Sequence, residues 1–158
     1  MIYKYAIFVI FAVVSADTGD DQKLRRGFVG FYVTLNETTY LTPGETVKYN
    51  NVITNAGNHY NPYTGVFTAP RTAYYLFRID ALCNGPYGFS LQLIHNETPR
   101  ASYYSTITSD SWSTGGSSAL LKVNAGEKVY VKVVINATNL YGDGTHHINT
   151  FTCHLVGR

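Results

Sequence analysis

The stretch from Asn58 to Phe77, NHYNPYTGVFTAPRTAYYLF, decides the fold. It holds two alternating, aromatic runs joined by a short Pro-bearing connection. Tyr63-Thr64-Gly65-Val66-Phe67 reads as a strand, with Gly65 at a kink or a close approach of backbone. Ala69-Pro70-Arg71-Thr72 then turns the chain, because Pro70 fixes φ and has no N–H to give to a ladder. Beyond it Tyr75, Phe77, Ile79, Ala81 and Cys83 alternate onto one face, the pattern of a half-buried strand.

Outward from that stretch the same grammar repeats. Gly27 to Leu35 predicts a first strand, with Val29, Phe31, Val33 and Leu35 on one face. Glu45 to Asn55 is a second extended region, and Asn84-Gly85-Pro86-Tyr87-Gly88 is a turn. Phe89, Leu91 and Leu93 alternate in the next strand, and Ala101 to Ile107 forms a weaker one. A polar Ser/Thr/Gly loop is expected to run on through Gly116. Ser118 to Val123 and Lys128 to Ile135 read as a hairpin about Asn124-Ala125-Gly126-Glu127, and Thr150 to Val156 is the last strand. Helical periodicity is absent, so short strands with Gly/Pro turns predict an all-β sandwich.

Composition agrees. With 158 residues the chain suffices for one domain with a real core. Fourteen tyrosines and eight phenylalanines against 14% charged residues favour strands. The net charge is +2 and the basic residues are scattered, so no nucleic-acid footprint emerges. Residues 1–16 read as a signal peptide: Lys4, an apolar run from Ala6 to Val14, then small residues at Val14-Ser15-Ala16. A membrane anchor is the other reading of that run, but it is too short to span comfortably. The expectation is a secreted, soluble chain beginning at Asp17, with 17–26 a disordered lead-in. Secretion and an even cysteine pair point to a Cys83–Cys153 disulfide, with two separate buried thiols as the other reading.

The spacing of Tyr60, Thr64, Gly65, Phe67, Pro70, Tyr75 and Phe77, preceded by Tyr49-Asn50, Val52 and Asn55, resembles the complement component 1q globular-head family. The resemblance covers Gly27 to Arg158 (residues 27–158, the one folded domain), and departs at Ala73 and Cys153, where the family usually carries glycine. It implies a ten-stranded jelly roll of two antiparallel sheets, in the tumour-necrosis-factor-like class. It also implies that the strand from Ala73 and the C-terminal strand are antiparallel neighbours. On that pairing Cys83 and Cys153 would lie at one end of the sheet, within bonding register. Neither Gly-X-Y repeats nor heptads precede the head, so any trimer must be held by the head alone.

Chemistry is sparse. No Gly-x-Ser-x-Gly, phosphate-cradling glycine loop or His-Glu-x-x-His occurs, and the expectation is that the protein is not an enzyme. His146 and His147 are the one adjacent pair among five histidines, and two solvated loop histidines is their plainer reading. Several members of the family bind calcium near the trimer axis, for which Asp110 and Asp143 are the candidate carboxylates. Sequons stand at Asn36, Asn96 and Asn136, with Pro99 working against the second. Loop aromatics Tyr87, Trp112 and Tyr141, with His146 and His147, are the candidate ligand contacts, since rings stack on the apolar faces of sugars. Strand alternation puts residues 36–44, 84–88, 108–117 and 136–149 at one end, opposite both termini. The resemblance implies an innate-immune, lectin-like homotrimer that binds carbohydrate or other microbial surface patterns. A signalling or adhesion ligand for a host receptor and a structural matrix component are the alternatives.

Overall fold

One strand, Ala73–Asn84, accounts for most of the architecture. In the computed structural model it is β6 of twelve strands among the described residues, which are 27–84, 89–105, 112–136 and 138–157. The expected signal peptide and lead-in fall outside those residues. Before it come β1 (Gly30–Thr34), β2 (Thr39–Leu41), β3 (Asn51–Ala56), β4 (Tyr60–Asn61) and β5 (Val66–Thr68). After it come β7 (Phe89–His95), β8 (Thr98–Ser105), β9 (Trp112–Val123), β10 (Lys128–Ile135), β11 (Thr138–Leu140) and β12 (Thr150–Gly157). One sheet has the order β2-β11-β6-β12-β1-β3, with β9 on the other edge of β6; the second has the order β4-β5-β10-β7-β8. This is the expected all-β jelly-roll sandwich of two antiparallel sheets.

Alternation in β6 explains why it sits at the centre. Tyr75, Phe77, Ile79, Ala81 and Cys83 are all buried, while Tyr74, Leu76, Arg78, Asp80 and Leu82 face the other way. Phe77 meets Phe67 of β5 edge-on at 5.6 Å and Phe151 of β12 stacked at 6.2 Å. Phe31 of β1 lies 4.8 Å from both Tyr60 of β4 and Phe151. These rings join the sheets, because Phe67 and Tyr60 come from one and Phe31, Phe77 and Phe151 from the other. Aromatic pairs in such geometry contribute about 0.5–1.5 kcal/mol each beyond their area burial. The Tyr60 hydroxyl adds a lock, donating to the Tyr49 carbonyl at 3.2 Å and accepting from its N–H at 3.1 Å. Gly65 has φ +76, and a Cβ there would stand 2.4 Å from the Val47 carbonyl oxygen, the close approach read from the sequence.

Several expectations are corrected. Tyr63 to Gly65 form a turn, and the strand begins at Val66. From Trp112 onward the loop expected through Gly116 is strand, and its earlier residues lie outside the described ones: β9 pairs with β6 from Trp112↔Asn84 to Val123↔Ala73. Its glycines answer to packing rather than flexibility, since a Cβ on Gly115 would stand 2.2 Å from the Tyr103 ring. The 124–127 turn does not close a hairpin. β9 belongs to the first sheet and β10 to the second, so the turn carries the chain across the sandwich. Ile135 is exposed because the β10–β7 register slips between Val133 and Ile135.

The Cys83–Cys153 disulfide is not formed. β6 and β12 are antiparallel neighbours as expected, but Cys153 stands opposite Phe77, and Cys83 opposite Ser113 and Leu140. Six residues of strand, 77 to 83, separate the two positions, about 20 Å at the usual rise. The cause is the start of β12: Thr150 pairs with Asp80, and β11 takes the edge of β6 beyond it.

Two measurements test this account. Phe77→Ala should destabilise by about 3–5 kcal/mol in urea unfolding, because the ring bridges both sheets. The second concerns Glu127, whose carboxyl is pulled down to about 2 by the Asn124 N–H, then the Asn124 side chain, then His95 at 2.8 Å. A lowered folded value contributes stability above the ordinary 4.5 and loses it as the pH falls toward 2. Glu127→Gln should therefore lower the urea midpoint at neutral pH, and its difference from wild type should shrink as the pH falls toward 2.

Candidate functional site

The last rung of the β6–β9 ladder, Asn84↔Trp112, opens onto the end of the sandwich away from Gly30 and Gly157. Trp112 is 55% exposed, and its indole meets the Tyr141 ring edge-on at 5.4 Å and 88°. Two of the three expected loop aromatics are thus brought together; the third, Tyr87, lies outside the described residues.

Tyr141 is held from both sides. Its N–H donates to the Leu82 carbonyl at 3.0 Å, and its hydroxyl donates to Asp143 Oδ2 at 3.1 Å. Asn149, 1% exposed, donates from Nδ2 to the carbonyls of Leu82 and Tyr141, both at 2.7 Å, and accepts the Leu82 N–H at 3.0 Å. Asn149 is a residue that sequence reasoning missed. It sits in an Asn-rich loop, and only the fold shows that its amide substitutes for the ladder partner β6 lacks there.

Asp143 organises the rest of the loop. Its Oδ1 accepts the N–H groups of Thr145 and His146, both at 2.9 Å, and the His146 ring meets Oδ2 through Nδ1. These donors, the His146 N–H foremost and then that of Thr145, hold the carboxyl well below the usual range. The same carboxylate pushes the Tyr141 phenol up. The His146 ring is largely exposed beyond its Nδ1 contact. His147 adopts φ +51 and turns away, with Nδ1 3.4 Å from Thr34 Oγ1 and its ring edge-on to Tyr32 at 6.4 Å. The adjacent histidines therefore serve different walls and do not chelate together.

What the arrangement can do chemically follows from this. Thr145 Oγ1 and Asp143 both meet His146 at Nδ1, so the hydroxyl is not placed across the ring from the carboxylate as an acyl-transfer triad requires. Among the described residues no three His, Cys, Asp or Glu side chains converge on a possible metal position. Asp143 already spends its lone pairs on protein donors; Asp110, the other candidate calcium carboxylate, lies outside the described residues. The sequon asparagines are all exposed: Asn36 after β1, Asn96 in the tight β7–β8 turn, and Asn136 at the end of β10, its Ala137 outside the described residues.

A family profile for the C1q domain matches residues 30–156. The chain belongs to the C1q-domain family. The globular domain of a zebrafish complement 1qA protein superposes with a TM-score of 0.70 at 21% identity, covering 82% of this chain and 98% of that one. Murine APRIL gives 0.66 at 10% identity, covering 82% and 99%, and the Eiger TNF of S. frugiperda gives 0.62 at 14%, covering 81% and 91%. At those identities the likeness speaks to the jelly roll alone. C1q domains as a class are ligand-binding and signalling domains, generally without enzymatic activity. No helix among the described residues is long and apolar enough to cross a membrane.

Trp112 is the sole tryptophan, so its emission reports on this site directly. Because the folded Asp143 value is depressed, the loop contacts persist above the ordinary 3.8 and are lost only as the pH falls well below it. Wild-type emission should stay constant through pH 3.8, whereas Asp143→Ala should change it at neutral pH and speed proteolysis within residues 141–148.

Proposed function

We propose that this C1q-domain protein is a secreted, non-enzymatic recognition head, assembled as a homotrimer, that binds carbohydrate or other surface patterns on microbes through its loop end. The observation that carries this reading is the Trp112–Tyr141 pair, an exposed, edge-locked aromatic corner beside the exposed imidazole of His146. Aromatic rings stack on the apolar faces of sugars, and polar groups beside them read the hydroxyls. The corner is also rigid, because Asn149 and Asp143 tie it to β6, and a pre-ordered contact loses less entropy on binding.

Secretion rests on the leader-like residues 1–16, and glycans at Asn36 and Asn136 would flank the binding end. Self-association is supported by the outward face of the seven-stranded sheet near the termini. There Phe28, Tyr74, Leu120 and Val156 are all exposed, and an apolar hollow of about 460 Å³ opens between Phe28, Tyr32 and His154. Exposed apolar patches of this kind mark interaction surfaces. Three weak sites on one rigid body then gain affinity through multivalency.

Light scattering on the secreted protein, with and without calcium, should give three times the protomer mass in both conditions. A glycan array should show binding that Trp112→Ala reduces at least tenfold. A monomer, or an array silent at all glycans alongside saturable binding to host cells, would instead favour a receptor ligand.

A further inference from the structure

The apolar half of the outward sheet face holds one side chain that does not match its company. Strand pairing sets Gly30 of β1, His154 of β12, Leu76 of β6 and Leu120 of β9 in one row across the sheet. Phe151 and Cys153 are buried in the core, so alternation turns Thr152 and His154 outward. The exposed imidazole lines the hollow of about 460 Å³ together with Phe28, Tyr32 and Thr54. Gly30 has no room for a side chain, since a Cβ there would stand 2.8 Å from the Cys153 carbonyl oxygen and 3.3 Å from the Phe28 ring. The row therefore presents His154 between bare backbone and two leucines.

The charges around it are nearly all of one sign. Tyr74, Arg78 and Asp80 face outward from β6, Lys122 from β9 and Tyr32 from β1, while Thr54 of β3 and Thr152 are uncharged. His147 lies further along, its ring edge-on to Tyr32 at 6.4 Å. Asp80 is the single carboxylate in the strands of this sheet among the described residues. It is already taken, by Arg78 Nη2 at 2.7 Å and by the Thr150 hydroxyl at 3.1 Å. It also stands opposite Thr150, four residues before His154 and about 13 Å away at the usual strand rise. An imidazolium at His154 would meet two cations on this face and no available anion.

We propose that His154 is a pH switch for assembly: its neutral ring is covered when protomers associate through this face, and its protonation drives them apart. This rests on the homotrimer reading given above and adds the condition under which the trimer holds. Taking the ring out of water beside Phe28, Leu76 and Leu120 favours its neutral form, because burial disfavours charge. Histidine is the side chain whose ordinary value, about 6.5, puts that change between about pH 5 and 8. A base buried on assembly contributes fully above its free value, and the contribution is lost as the pH falls below it. Three copies titrate per trimer, so dissociation steepens to as much as about a thousandfold per pH unit. Released protomers lose their multivalency, so acid discharges ligand as well.

The test is light scattering at pH 7.5 and pH 5.0 on wild type, His154→Phe, His154→Gln, His154→Arg and His147→Gln, with circular dichroism on each sample. Wild type should weigh three protomers at pH 7.5 and one at pH 5.0, with an unchanged spectrum. His154→Phe and His154→Gln should stay at three in both conditions, and His154→Arg should weigh one in both. His154 is exposed, and the Gln variant reports even where the Phe variant aggregates. His147→Gln should dissociate as wild type does. A wild type still trimeric at pH 5.0, or an acid dissociation that both neutral His154 variants retain, would overturn the switch and leave the trimer standing. Dissociation abolished by His147→Gln, or a spectrum lost at pH 5.0, would also overturn it, by assigning the effect to another ring or to unfolding. A single-protomer mass for wild type at pH 7.5 would overturn the homotrimer reading itself.

Discussion

The dependence of this sandwich on one strand is a matter of geometry. β6 is the longest strand of its sheet together with β9, and it has a neighbour along both edges: β9 on one side, β12 and then β11 on the other. Its inward rings close on Phe67 and Phe151, so the same residues that satisfy the ladder also fasten the second sheet. A side chain lost from that row removes apolar contact from two sheets at once. The outward row has the opposite duty. It presents Tyr74, Leu76, Arg78, Asp80 and Leu82 to whatever covers or meets the face.

The loop end inherits its order from the point where β12 stops short. Thr150 pairs with Asp80, so the last four residues of β6 need other partners. β11 supplies one at Cys83 and Asn84, and the Asn149 amide supplies another at Leu82. Tyr141 is drawn against β6 by that same arrangement, and Trp112 is already there as the end of β9. The aromatic corner is thus a consequence of unequal strand lengths. A buried backbone group must find a partner, and the residues that answer this need also position the rings.

That mechanism also explains what was legible beforehand. The alternation from Tyr75 to Cys83 is a period-two signal over nine residues, strong enough to place a half-buried strand without help. Trp112 and Tyr141 were legible as aromatics outside the core, because large rings in polar stretches have no core to fill, although Trp112 opens strand β9 rather than lying in a loop. β9 was not, since Ser, Thr and Gly carry little strand propensity. Its strand character comes from β6 pairing and from Tyr103 packing over Gly115, both long-range. The turn at 124–127 has the composition of a hairpin, yet composition fixes a reversal and not the sheet to which the chain returns. The cysteine pairing failed for a related reason: neighbouring strands were inferred correctly, but register depends on where each strand begins. A shift of six positions separates two thiols that share a face.

The outward face of the seven-stranded sheet then reads as a gradient set by β6 and β9 together. Tyr74 pairs with Lys122 and Leu76 with Leu120, next to His154 and Gly30; Arg78 pairs with Ser118, Asp80 with Gly116, and the series ends at Asn84 with Trp112. Apolar bulk occupies the terminal half, hydroxyls and a neutral ion pair the middle, and an indole the far end. A desolvated ion pair returns little of what its burial costs, so the middle of the face differs in energetic character from its apolar half. Arg78 and Asp80 keep partial contact with water, and Gly116 beside them carries no side chain. The strand that closes the core on its inner side thus also sets the order of chemistry along the outer side.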